Sequence, residues 1–299
     1  MKQKPELGGA FQLPGTSLVL NRIGYGAIQL AGPRVWGPPK DMDAAVALLR
    51  EAVAQGVNHI DTADYYGPHI TNQIVKKALH PYRNGVTIVS KIGYIRGADQ
   101  SWKPALSEKA LTDGVTDNLK NLGLDAIEVV NLRFNITDSP AVVESAVTIA
   151  ANLKRKGLIR HIGLSTVSRP QFEKARSITE IVCVQNEYNL AYREDDLFID
   201  YLASLGVAYI PFFPLGGFKP IQAPELENAA TTLGVSKMRI ALAWLLQRSP
   251  NILLIPGTSS LAHLRENLQA ADLDLPVGII AGLDQIASKI ARPVSLIQS

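Results

Sequence analysis

The 299-residue chain has one cysteine, Cys183, so it can form no internal disulfide and no thiolate metal cluster. Cys183 lies in the apolar run EIVCVQ and reads as a buried, inert thiol. No apolar run approaches the length of a transmembrane helix, and the opening MKQKPELGGAF lacks the apolar stretch of a signal peptide. No membrane association is expected, and a cytoplasmic location is. A basic arm is missing too. The net charge of +3 is spread along the chain, which does not suggest a nucleic-acid partner and suits a small anionic ligand. His59 and His69 lack paired ligand spacing and there is no H-x-x-x-H motif, so no metal is expected. With no low-complexity linker, residues 1–299 read as a single domain.

What the chain does have is alternation. Short β-branched, apolar runs occur at 22–28, 58–63, 86–92, 127–134, 159–165, 180–185, 207–213 and 251–257, each apolar for several consecutive residues, as strands buried on both faces should be. Helical patterns with readable ends lie between them. Ala44, Ala45, Leu48, Leu49 and Ala52 repeat at one-face spacing, with Asp41 or Asp43 as N-cap and Gly56 as stop. Ser107 opens a second helix that Gly123 closes. Ser139-Pro140 opens another, ending at Gly157, and its Lys154, Arg155 and Lys156 face the negative end of the helix dipole.

Eight such units predict a closed (β/α)8 TIM barrel, an α/β fold. The doubly wound open sheet is the alternative; it is weakened because GYGAIQLAG lacks the third glycine and following helix of a dinucleotide fingerprint. GAFQLPGTSLVL reads as an N-terminal β-hairpin closing the barrel bottom, and PVGIIAGLDQIASKIARPV as an extra C-terminal helix.

In a barrel the loops after the strand C-termini hold the site. The second strand ends in HIDTADYYG, the third in VSKIGY, the fourth in VNLRFN. Lysine inside an apolar strand needs a carboxylate partner, and Asp61 can supply one. A structural ion pair is the bland account of the two. Tyr66 favours a chemical one: a phenol beside a lysine is expected to have its pKa lowered, and can then exchange a proton with a carbonyl oxygen. Trp36, in RVWGPPK, is expected to wall a substrate pocket on the same rim.

These segments resemble the aldo-keto reductases. GVNHIDTADYYG is similar to that family's second-strand signature and IVSKIG to its lysine segment. GLIRHIGLST, VQNEYNL, PFFPLGGF and IPGTSSLAHLRENLQA follow in family order, so the resemblance covers nearly the whole chain. It implies Asp61, Tyr66 and Lys91 as three of four catalytic residues. The fourth, normally histidine, is Arg133 here, a departure associated with a minority group that includes pyridoxal reductases. Arginine is fixed as a cation but still donates hydrogen bonds to a carbonyl or alkoxide oxygen.

The resemblance further implies a nicotinamide cofactor, with Ser165, Thr166 (where asparagine is usual) and Gln185 on the carboxamide. Phe212 would stack on the ring, and Pro214, Leu215 and Gly216 would cover the pyrophosphate. PGTSS would start a helix that binds phosphate, with Gly257 and His263 where the family often has Lys and Arg, Thr258 and Ser259 as hydroxyl donors, and Asn267 against the adenine. No acid stands there to repel a 2′-phosphate, so NADPH is expected over NADH. The reaction expected is reduction of a small-molecule carbonyl, pyridoxal among the candidates, with Tyr66 as general acid. A Schiff-base lyase using Lys91 and a nucleotide-binding regulatory subunit are the alternatives. Neither substrate nor oligomeric state is legible.

Overall fold

The computed structural model describes residues 7–82, 85–217 and 221–289. The chain begins with a hairpin of β1 (Ala10–Gln12) and β2 (Val19–Asn21), antiparallel with Phe11 opposite Leu20. The apolar side chains Leu13 and Leu20 enter the barrel floor, among Val89, Val129, Val182, Ala208 and Leu253. Burying them there removes apolar surface from water at the open end of the barrel.

Next come β3 (Tyr25–Gly26), α1 (Met42–Ala54), β4 (His59–Asp61), α2 (Ile70–Leu79) and β5 (Thr87–Ile92). A two-stranded ribbon, β6 (Tyr94–Arg96) with β7 (Trp102–Pro104), rises from the rim. It is followed by α3 (Glu108–Leu122), β8 (Ile127–Arg133), α4 (Pro140–Arg155), β9 (Ile159–Ser165), α5 (Arg169–Arg176), β10 (Ile181–Gln185), α6 (Asp196–Ser204) and β11 (Ala208–Tyr209). Then follow α7 (Pro224–Leu233), α8 (Lys237–Arg248), α9 (Leu261–Leu268), α10 (Val277–Asp284) and α11 (Ile286–Lys289).

Seven parallel strands run in the order β11-β10-β9-β8-β5-β4-β3. The segment 251–254 closes the ring as an eighth, irregular stave. Leu254 N–H donates to Arg22 O at 2.7 Å and Gly24 N–H to Leu254 O at 2.8 Å on one side. On the other, Tyr209 N–H donates to Asn251 O and Leu253 N–H to Tyr209 O, both at 2.9 Å. The structure is thus the expected (β/α)8 barrel, with the first and eighth strands shorter than their apolar runs. The seam is tight: a Cβ on Gly257 would lie 2.7 Å from Gly26 O, and Pro256 has no N–H to extend the ladder.

The helix signals translate directly. Asp41 caps α1, Ser107 caps α3 and Ser139 caps α4 with Pro140 in its first turn. Gly123 ends α3 in the left-handed region at φ +70°. The C-terminal segment forms the two short helices α10 and α11 rather than one, and its end, from residue 290, lies outside the described residues, as do residues 1–6 of the opening segment.

Candidate active site

Strand register places the reactive side chains. Asp61 ends β4 opposite Val89, so Lys91 projects from β5 one inward-facing position higher. Lys91 Nζ forms an ion pair with Asp61 Oδ1 and donates to Thr62 O at 3.1 Å. Gln185 Nε2, from the end of β10, donates to the other carboxylate oxygen at 2.9 Å. Both charged side chains are at most 5% exposed. A buried pair of this kind is tolerable only when its hydrogen-bonding capacity is used, and here three elements supply partners.

The Lys91 ammonium lies 5.2 Å from the centre of the Tyr66 ring. Tyr66 is fixed by its backbone: its N–H donates to Ala63 O at 3.0 Å and its carbonyl accepts from Thr71 at 3.2 Å. Gly67 follows at φ +73°, where a side chain would be strained. The loop is pinned to the helices by Asp64, whose carboxylate accepts from Asn72 at 3.0 Å and Asn121 at 2.9 Å and meets His69 Nδ1 at 2.6 Å. Asp64, His69 and Asp117 thereby bring three ligand-type side chains within 4.8 Å, a grouping their sequence spacing does not reveal.

The expected lowering of the Tyr66 pKa is corrected. Burial pushes the phenol well above its ordinary value, Asp61 pushes it further, and Arg133 opposes both. Burial is the leading cause, and the Asp61 carboxylate that pairs with Lys91 adds to it instead of leaving the ammonium free to lower the phenol.

Arg133 ends β8 opposite Ser165. Its guanidinium lies 5.0 Å from the centre of the Tyr94 ring, whose hydroxyl donates to Asn135 Oδ1 at 2.5 Å. Arg133 Nε is buried without a hydrogen-bond partner, as is the Tyr65 hydroxyl.

Asp61, Tyr66, Lys91 and Arg133 all line one cavity of about 470 Å³. Gln185, Phe212, Pro214, Leu215, Gly257 and Ser259 also line it; Ser165, Thr166, Gly216, Thr258, His263 and Asn267 do not. Ser165 Oγ and Thr166 Oγ1 are nonetheless buried with no hydrogen-bond partner. Thr166 sits at φ +58°, a region hostile to β-branched residues and congenial to asparagine. The close approach of Gly257 to Gly26 O leaves no room for a lysine side chain there without moving the backbone. PGTSS opens the helix as expected: its last residue, Ser260, is the N-cap of α9, which starts at Leu261, and Thr258 Oγ1 accepts from Ser260 N–H at 3.0 Å. Ser259 and His263 are exposed and Asn267 is buried.

Trp36 does not line the cavity; its neighbours Arg34 and Val35 do. The Arg96 guanidinium lies 5.3 Å from the Trp36 ring and 4.1 Å from that of Trp102. Arg96 donates to Val35 O at 2.8 Å and Gln100 O at 2.9 Å, so the β6–β7 ribbon clamps the loop bordering the cavity. Trp102 meets Tyr65 edge-to-face, with centroids 5.7 Å apart. Neither Arg96 nor Trp102 was legible as a site residue, because the alternation in YIRGADQSWKP is too short to signal a ribbon.

The model of the Aldo/keto reductase family matches residues 22–220 and 221–288. The pyridoxine 4-dehydrogenase of Escherichia coli K12 is 58% identical over 277 residues, covering 91% of this chain and 96% of that protein. An uncharacterized oxidoreductase of Schizosaccharomyces pombe is 36% identical, covering 90% and 87%. Among solved structures, a thermostable aldo-keto reductase in complex with the inhibitor epalrestat superposes with TM-score 0.78 at 29% identity, covering 93% and 99%. An aldo-keto reductase from Klebsiella pneumoniae in complex with NADPH gives TM-score 0.77 at 21% identity, covering 93% and 94%. With a family model spanning nearly the whole barrel and a relative well over half identical, this chain belongs to the aldo/keto reductase family and is an NAD(P)H-dependent oxidoreductase.

Proposed function

We propose that the protein interconverts an aromatic aldehyde and its alcohol, pyridoxal and pyridoxine foremost, with NADPH as reductant and Tyr66 as the acid. The observation that carries this is the convergence of the Asp61–Lys91 pair and Tyr66 on the wall of a cavity that Gln185, Phe212 and Gly257 also line. The name and identity of the Escherichia coli relative support the substrate.

Bound NADPH would supply the hydride. The residues placed to hold it are Ser165, Thr166 and Gln185 at the carboxamide, Phe212 beside the ring, and Gly257, Thr258 and Ser259 near the phosphates. Between Pro256 and His263 there is no acid to repel a 2′-phosphate. Tyr66, kept protonated by burial, donates to the carbonyl oxygen as negative charge develops there. Lys91 stabilises the phenolate left behind, and Asp61 holds Lys91 in place with Gln185 bracing the carboxylate. Arg133 supplies a fixed cationic donor to the same cavity.

A Schiff-base role for Lys91 is disfavoured by its ion pair and its bond to Thr62 O, which hold the nitrogen as a donor rather than a free nucleophile. NADPH consumption with pyridoxal, and its absence in Tyr66→Phe with cofactor binding retained, tests the proposal. Turnover by Tyr66→Phe at the wild-type rate would refute it.

A further inference from the structure

We propose that Arg133, positioned by Tyr65, reads an ionised oxygen ortho to the reacting carbonyl, so that the enzyme selects ortho-hydroxy aromatic aldehydes. This rests on the reductase reading above and adds the feature of the substrate that the site recognises.

Arg34, Lys91 and Arg133 line the cavity, and of these Lys91 and Arg133 stand at strand ends beside Tyr66 and Tyr65, where the chain treats them differently. Lys91 is neutralised by Asp61. Arg133 has no carboxylate partner among the described residues: its guanidinium lies over the face of Tyr94, and its Nε is buried without a hydrogen bond. A partly buried guanidinium with an unsatisfied Nε–H is costly to the free protein, and an anionic ligand oxygen removes that cost. Its fork of donors is also too long and too rich for the single task of a small histidine, which is to touch the carbonyl oxygen. One N–H can face that oxygen while another faces an oxygen one ring carbon away.

Tyr65 completes the device. Its hydroxyl is buried, and its one polar neighbour acting as a hydrogen-bond partner is the Arg133 guanidinium, at a geometry short of a well-formed bond. Burial raises the Tyr65 phenol well above its ordinary value while Arg133 opposes the rise, so the hydroxyl stays neutral beside the guanidinium. The ring itself is locked edge-to-face between Tyr66 at 5.4 Å and Trp102 at 5.7 Å. Tyr65 therefore sets where Arg133 rests without lining the cavity itself. An ortho-oxido aldehyde presents its carbonyl and phenolate oxygens on the same edge of the ring, matching the donors of Tyr66 and Arg133. A para-hydroxy or ortho-methoxy aldehyde does not.

The test compares kcat/KM for 2-hydroxy-, 4-hydroxy- and 2-methoxybenzaldehyde at saturating NADPH. The wild type is expected to prefer the 2-hydroxy compound by about tenfold to hundredfold, the range of one charge-assisted hydrogen bond. Arg133→Gln should collapse that ratio towards one, and Arg133→Lys should keep part of it. Tyr65→Phe should lower the ratio mainly through KM, with kcat on benzaldehyde changed less; an equal loss on all aldehydes would show a purely structural tyrosine. NADPH quenching of tryptophan fluorescence reports whether each variant is folded. A wild-type ratio near one with good turnover overturns the inference and leaves the reductase reading standing. If no aldehyde is turned over, the reductase reading fails instead. Calorimetric binding of 2-hydroxy- against 2-methoxybenzaldehyde then decides the Arg133 claim: equal affinities overturn it, and a preference lost in Arg133→Gln supports it.

Discussion

Lys91 and Tyr66 meet across the barrel rim with the ammonium 5.2 Å from the centre of the phenol ring, and Asp61 shares the same ammonium. In the proposed mechanism the pair would serve less to lower the phenol pKa in the free protein than to hold charge in reserve for the phenolate that proton donation would leave. Because burial and Asp61 raise the Tyr66 pKa, the phenol stays protonated throughout the neutral range, as a proton donor would need. Aldehyde reduction is expected to be nearly flat from about pH 6 to about pH 8, while alcohol oxidation, which needs the phenolate, should rise with pH. Initial rates in both directions across that range check this; a reduction rate that climbs with pH would contradict it.

Removing one partner of the buried pair should cost stability as well as rate. Lys91→Met leaves Asp61 buried and unpaired, with an expected loss of about 3–5 kcal/mol in denaturant unfolding. The double variant Asp61→Asn with Lys91→Met should recover most of that stability and none of the activity. Recovery of activity would show the pair to be scaffolding alone.

Thr166 holds a β-branched side chain at φ +58°. Asparagine tolerates that conformation, so Thr166→Asn should stabilise the protein by about 0.5–1 kcal/mol, read as a higher Tm, with NADPH bound at least as tightly. A lower Tm would mean that the threonine hydroxyl or methyl is needed where it lies.

His59 is buried, neither ring nitrogen has a partner, and its pKa is depressed from 6.5 to about 4. The unfolded chain takes up this proton first as pH falls. Stability is therefore fully present above about pH 6.5 and is lost as pH falls from there towards 4, by about 3 kcal/mol in total. Urea unfolding at a series of pH values should show this slope, and His59→Asn should flatten it whatever it does to the overall level.

Arg96 joins the β6–β7 ribbon to the loop at 34–36 through two backbone carbonyls and two indole rings. Arg96→Lys keeps the charge and loses the planar fork. We expect KM for the aldehyde to rise about fivefold to thirtyfold with little change in Tm, because Arg34 and Val35 border the cavity. Unchanged KM would separate the ribbon from substrate binding.

Much of this was already written in the chain. Eight continuous apolar runs separated by capped helices dictate a parallel sheet covered on its outer face, and the signals at Asp41, Ser107, Ser139 and Gly123 act over three or four residues, so they translate without reference to the rest of the fold. Asp61 and Lys91 were legible as partners because an ammonium cannot be buried alone. Tertiary structure alone decided what depends on distances between remote segments. Gly257 and Gly26 meet at the barrel seam with no space for a side chain between them; the Trp36 ring meets Arg96 of a ribbon more than fifty residues away; Tyr66 is titrated upward by burial and by Asp61. Electrostatic and packing terms fall off over a few ångströms in space, and the order of residues does not record those separations.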